Sequence, residues 1–196
     1  MTTSRLEAFS DGVMAIIITI TILIIDLPEG NDGAALLSIM PLLICYLISF
    51  ILVGINWANH HHLMHVAQEV DGKVLWANLL YLFVLSFVPV ATGWVGKTDF
   101  AIFPVRVYVI LNLAIAGAYI LLERAIISSN DCDRLRMAVN ESKKELWTVC
   151  IEVVALICSF LPGVHNVSCP LIVLAYVPWI IPDLRMKRVF EEAKRR

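Results

Sequence analysis

Six stretches of this 196-residue chain, 9–27, 35–58, 74–95, 102–122, 146–162 and 168–184, are apolar over all or nearly all of the length a helix needs to cross a membrane. A hydrocarbon core about 30 Å thick asks for roughly 20 such residues. Inside lipid every backbone N–H and C=O must be satisfied by the segment itself, and runs of this kind do so as helices. With 59% of residues hydrophobic, 16% charged and a mean hydropathy of +0.80, the composition also makes lipid the solvent. The chain therefore reads as an all-α integral membrane protein with six transmembrane helices, one domain spanning residues 1–196.

An even number of spans puts both termini on one side. The connections "PEGNDG", "HLMHVAQEVDGK", "GKTDF" and "PGVHN" are short, which predicts antiparallel packing of consecutive helices. The remaining one, Glu123 to Glu145, carries both signs of charge and is expected to extend helices four and five beyond the bilayer. Outside the spans, Arg5, Lys73, Arg124, Arg134, Arg136, Lys143, Lys144, Arg185, Lys187, Arg188, Lys194, Arg195 and Arg196 fall on the side of the N-terminus. Lys97 alone falls on the other, with Arg106 inside span four near that face. Thirteen against one predicts, by the positive-inside rule, that both termini are cytoplasmic. The C-terminal "RMKRVFEEAKRR" reads as a stop-transfer flank meeting anionic headgroups.

Other classes fall away. A net charge of −2, with no basic tract interleaved with aromatics before the C-terminus, gives no reason to expect a nucleic-acid partner. Cys45, Cys132, Cys150, Cys158 and Cys169 include no CxxC pair and lie mostly in apolar runs, so no disulfide framework is expected. The first apolar run ends in "DLPEG" without a small-residue cleavage site and is expected to be retained.

That first run is unusual at its ends. Gly12, Ile16, Thr19, Ile20, Leu23 and Leu27 share one helical stripe, with Val13, Ile17 and Ile24 on other faces. Every face is apolar, so periodicity alone does not choose the buried one. Asp11 stands at one end, Asp26 at the other, and Thr19 and Thr21 lie between them. Acids at both mouths of a bundle suit a cation path. Equally, Ser10 and Asp11 are preferred N-cap types, and Asp26 can sit at the water interface.

The opening "RLEAFSD", with Arg5, Phe9, Ser10 and Asp11, resembles the Arg-x-x-x-Phe-Ser-Asp signature of the transmembrane protein 175 family of potassium channels. "GVMAIIITITILIIDLP", "NWANHHHLMH" and "WANLLYLFVLSFVPVATGW" are similar to the segments that follow it in that family, so the resemblance is strong over residues 4–95. It implies a single six-helix repeat of the prokaryotic type, assembling as a homotetramer around a central pore lined by the first helix. Potassium is then the permeant ion, no cofactor is needed, and the plasma membrane is the expected location. Ile16, Thr19, Ile20 and Leu23 would line the pore and select among ions, with Asp26 at its mouth. There is no TVGYG-like stretch, so selection is expected from an apolar constriction that strips water from the ion. Arg5, Phe9, Ser10 and Asp11 would form a structural cluster fixing the first helix, with Trp57, His60, His61 and His65 of the second span as donors. A buried acid needs such partners.

Three further constellations deserve a reading. His61 and His65 have the i, i+4 spacing of a metal-chelating pair, but the sequence places no carboxylate near them until Glu69, so catalytic zinc is not expected and hydrogen bonding is. Glu152 and Arg106 lie near span ends, where interhelical pairing or snorkelling is expected. Pro89, Pro162, Pro178 and Pro182 would kink or end helices. Two acids, a histidine cluster and broken helices would also suit a cation- or proton-coupled secondary transporter, although no inverted repeat is visible. No enzyme motif survives.

Overall fold

The computed structural model describes residues 2–67, 69–130, 143–161 and 163–180. All regular structure among them is helical: α1 (Thr3–Ile22), α2 (Gly33–Ser38), α3 (Met40–Val66), α4 (Gly72–Leu85), α5 (Val88–Lys97), α6 (Ile102–Asn130), α7 (Lys144–Phe160) and α8 (Ser168–Tyr176). Single 3₁₀ turns at His165–Val167 and Val177–Trp179 flank α8. The C-terminal basic flank, Cys132, Pro162, Pro182 and the middle of the charged connection lie outside the described residues.

Among the described residues, three segments are long and apolar enough to cross a bilayer: Met40–His65, the joined pair Gly72–Lys97, and Ile102–Asn130. The chain is thus a multi-pass membrane protein. The first, fifth and sixth expected spans do not meet that measure. Helix α1 carries Arg5, Glu7 and Asp11 in its first half, and α7 and α8 run 17 and 9 residues.

The boundaries have local causes. At its start α4 is capped by Asp71, whose Oδ1 accepts the Val74 N–H at 2.9 Å, and that bond holds the Asp71 carboxyl below the usual aspartate range. Asp32 caps α2 in the same way through Ala35 N–H. The third predicted span is broken, since α4 stops at Leu85 and α5 starts at Val88 with Pro89 in its first turn, where a missing N–H costs nothing. The second predicted span is displaced: α3 begins at Met40 and runs through Val66, so the whole "NWANHHHLMH" stretch is helical.

Two apolar clusters hold the bundle. One joins α1, α3, α4 and α6 through Leu6, Met14, Ile17, Leu63, Met64, Tyr81, Leu85 and Leu122. The other joins α3, α5, α6, α7 and α8 through Cys45, Leu52, Val95, Val105, Val109, Ala155 and Ile172. Where α5 crosses α3 the backbones nearly touch. A Cβ on Gly96 would lie 2.7 Å from the Leu42 Cα, so only glycine fits. Gly93 receives the Ile24 side chain in a similar notch, which seats the segment after α1 against α5.

Candidate functional site

Helix α1 resolves what its periodicity left open. Leu6, Ser10, Met14, Ile17 and Thr21 are buried against the bundle. The opposite stripe is uncovered: Ile16 is 56%, Ile20 46% and Leu23 77% exposed, with Phe9, Gly12 and Thr19 exposed beside them. Arg5 extends the same surface; it is exposed and forms no ion pair among the described residues, so it stands apart from the expected cluster. Thr19 directs its hydroxyl hydrogen to its own helix, at 3.0 Å from both Ala15 and Ile16 carbonyls. The helix ends at Ile22, which makes Leu23 its C-cap and leaves Asp26 and Leu27 beyond it. The stripe predicted to run to Leu27 is therefore one turn shorter.

The signature residues sit in mid-helix rather than at an N-cap, because α1 already begins at Thr3 with Thr2 as its cap. Ser10 is fully buried; its Oγ donates to the Leu6 carbonyl at 2.8 Å and accepts the Asn78 amide at 2.9 Å. The Asn78 Oδ1 meets His60 Nε2 at 2.8 Å, and the His60 ring stacks on Tyr81 with centroids 5.7 Å apart. Tyr81 in turn donates to Asn56 Oδ1 at 3.0 Å. A chain of buried polar groups thus runs from α1 through α4 and α3. Beside it Trp57 Nε1 donates to Asp11 Oδ1 at 2.9 Å, and Glu7 Oε1 lies 2.9 Å from His61 Nδ1. Trp57 thus reaches Asp11, while His60 meets Asn78 and His61 meets Glu7; His65 contacts the His61 ring at 5.3 Å. Sequence reasoning missed Asn78 and Glu7. Asn78 lies in an apolar run where one amide gives little signal, and Glu7 reads as an ordinary charge at a helix start.

At the other end, Asp26 Oδ2 accepts from Lys97 Nζ at 2.6 Å, with both side chains largely exposed. The acid beyond the end of α1 is thus paired with the base at the end of α5. Arg106 and Glu152 part company. Arg106 Nε donates to the Ser159 carbonyl at 3.0 Å, and its guanidinium lies 4.2 Å from the centre of the Phe160 ring, so it ties α6 to α7. Glu152 is fully buried, and among the described residues neither of its carboxyl oxygens has a hydrogen-bond partner, against the expectation of a paired or snorkelling group.

This arrangement is an apolar helix face presented outward, with the helix behind it held by a polar network. Residues 5–89 match the family described as endosomal/lysosomal potassium channel TMEM175. A potassium channel of Chryseobacterium sp. (strain P1-3) is 42% identical over 193 residues, covering 98% of this chain and 100% of the relative. One from Streptomyces collinus is 38% identical over 97 residues, 47% of each chain. Among solved structures, a lysosomal potassium-selective channel TMEM175 homologue from Chamaesiphon minutus superposes with a TM-score of 0.79 at 27% identity, over 92% of this chain and 97% of the other. The chain belongs to the TMEM175 family, a family of ion channels rather than enzymes.

Proposed function

We propose that this chain is one subunit of a homotetrameric potassium channel, its whole length a single six-helix membrane domain, with α1 of each subunit lining a central pore. The observation that carries the reading is the uncovered stripe of α1. A helix clamped on one face by Ser10, Asp11 and their partners, yet exposing Ile16, Ile20 and Leu23 on the other, is built to meet copies of itself. Its relatives' names supply the ion.

Four copies would stack rings of Ile16, Ile20 and Leu23, with Thr19 between them. Such a constriction gates by dewetting and makes a passing ion shed part of its water shell. Potassium holds that shell less tightly than sodium, so the ring favours potassium moderately. Arg5 would lie toward one pore mouth. Asp26 would lie toward the other, where its pairing with Lys97 offsets much of the cation attraction that four bare carboxylates would exert, an attraction that shrinks further as salt rises. The lysine and arginine distribution supports both termini in the cytoplasm, and the single-repeat length shared with a bacterial relative supports the plasma membrane.

Potassium flux into liposomes carrying the purified protein tests this. Wild type should pass potassium down its gradient with no coupled ion, and Ile16→Asn should raise sodium permeation severalfold. Flux that appears only with a proton or sodium gradient would replace the channel by a coupled transporter. Unchanged selectivity in Ile16→Asn would remove Ile16 from the filter.

A further inference from the structure

His61 and His65 lie one turn apart on α3, and the fold brings a carboxylate to them from the opening turns of α1. Glu7, His61 and His65 each offer one ligand atom, and these atoms lie within 4.8 Å of one another. Glu7 Oε1 and His61 Nδ1 lie 2.9 Å apart. Two ligands on a tetrahedral zinc ion with bonds near 2.0–2.1 Å stand about 3.3 Å apart, so the set lies within about 1.5 Å of that spacing. The site is half open, with Glu7 and His61 partly buried and His65 exposed, which leaves an approach for the ion and a fourth position for water. The His61 ring also stacks on Trp57 with centroids 6.1 Å apart, and Trp57 is held in turn by Asp11. One ligand is thereby oriented in advance.

We propose that Glu7, His61 and His65 form a site for a divalent transition-metal ion of the zinc class, which on binding clasps α1 to α3. The donor set decides the class. Two imidazole nitrogens and one carboxylate oxygen suit zinc and its neighbours, whereas magnesium and calcium prefer sites made wholly of oxygen. We assign it no hydrolytic role: Glu7 serves as a ligand, and Asp11, one turn further on α1, is engaged by Trp57 Nε1.

Titration calorimetry of zinc chloride into the full chain, purified in detergent without a histidine tag, tests the site. Wild type should take up one zinc per chain, and its melting temperature should rise with zinc concentration, since a ligand of the folded state stabilises it. Magnesium should do neither. Glu7→Gln and His65→Ala should each weaken zinc at least tenfold, while His62→Ala, next to the set but outside it, binds as wild type. His65 is exposed, so its variant carries the test even where Glu7→Gln fails to fold. The absence of saturable zinc binding by folded wild type, or binding that survives His65→Ala undiminished, would overturn the proposal. Calorimetry reads binding without ion flux, so failure of the channel reading leaves this result standing, and the reverse holds too.

Discussion

Asn78 holds three helices with one amide. Lying on α4, it donates through its amide nitrogen to Ser10 of α1 and accepts through its amide oxygen from His60 Nε2 of α3, all three fully buried. A buried polar group stripped of its partner bears its desolvation cost in full, about 1–3 kcal/mol. Asn78→Ala should therefore lower the stability of the folded protein by about that amount, read as a drop in melting temperature in detergent, whereas Ser86→Ala, exposed at the end of the same helix, should shift it little. Equal shifts would mean that the network adds no stability. At this scale the sequence was partly legible. The Phe-Ser-Asp signature and the aromatic and imidazole donors announce themselves by type, but which donor meets which acceptor depends on helix register. That is why Asn78 and Glu7 emerged only in the fold.

Helix α5 shows how closely two elements can approach when glycine permits it. Gly96 admits the Leu42 backbone of α3, and a Cβ there would press on an atom that cannot rotate away. Gly96→Val should push the helices apart and destabilise by about 1–3 kcal/mol, the usual cost of overpacking. Gly54→Ala, on a surface with open space around it, should be tolerated. Comparison of the two variants by thermal unfolding decides whether this crossing is as tight as it looks. Existence and type of the elements were legible from hydropathy, since helix formation in lipid is a local requirement. Their ends were less so. The α3 helix runs past its hydrophobic run because the histidines after Trp57 find partners on α1 and α4, and the third span breaks at Phe87 because Pro89 opens a new first turn.

In the whole molecule the apolar stripe of α1 is the surface that the proposed tetramer would bury. If four copies meet along it, native mass spectrometry of the protein released from detergent should show a species of about four 21.9 kDa chains, and Ile16→Asp should shift it toward smaller species. A wild-type monomer would leave the stripe facing lipid and remove the central pore. The sequence by itself determined that this chain is helical and built for lipid, and its opening motif pointed to the family, because apolar runs and short signatures are properties of neighbouring residues. Tertiary structure alone decided which face of α1 is buried and which is offered, and that Glu7 would stand beside His61 and His65. The physical reason is the same in both cases: α1 is apolar all round, so its orientation comes from the packing of Leu6, Met14 and Ile17 and from hydrogen bonds to residues far along the chain.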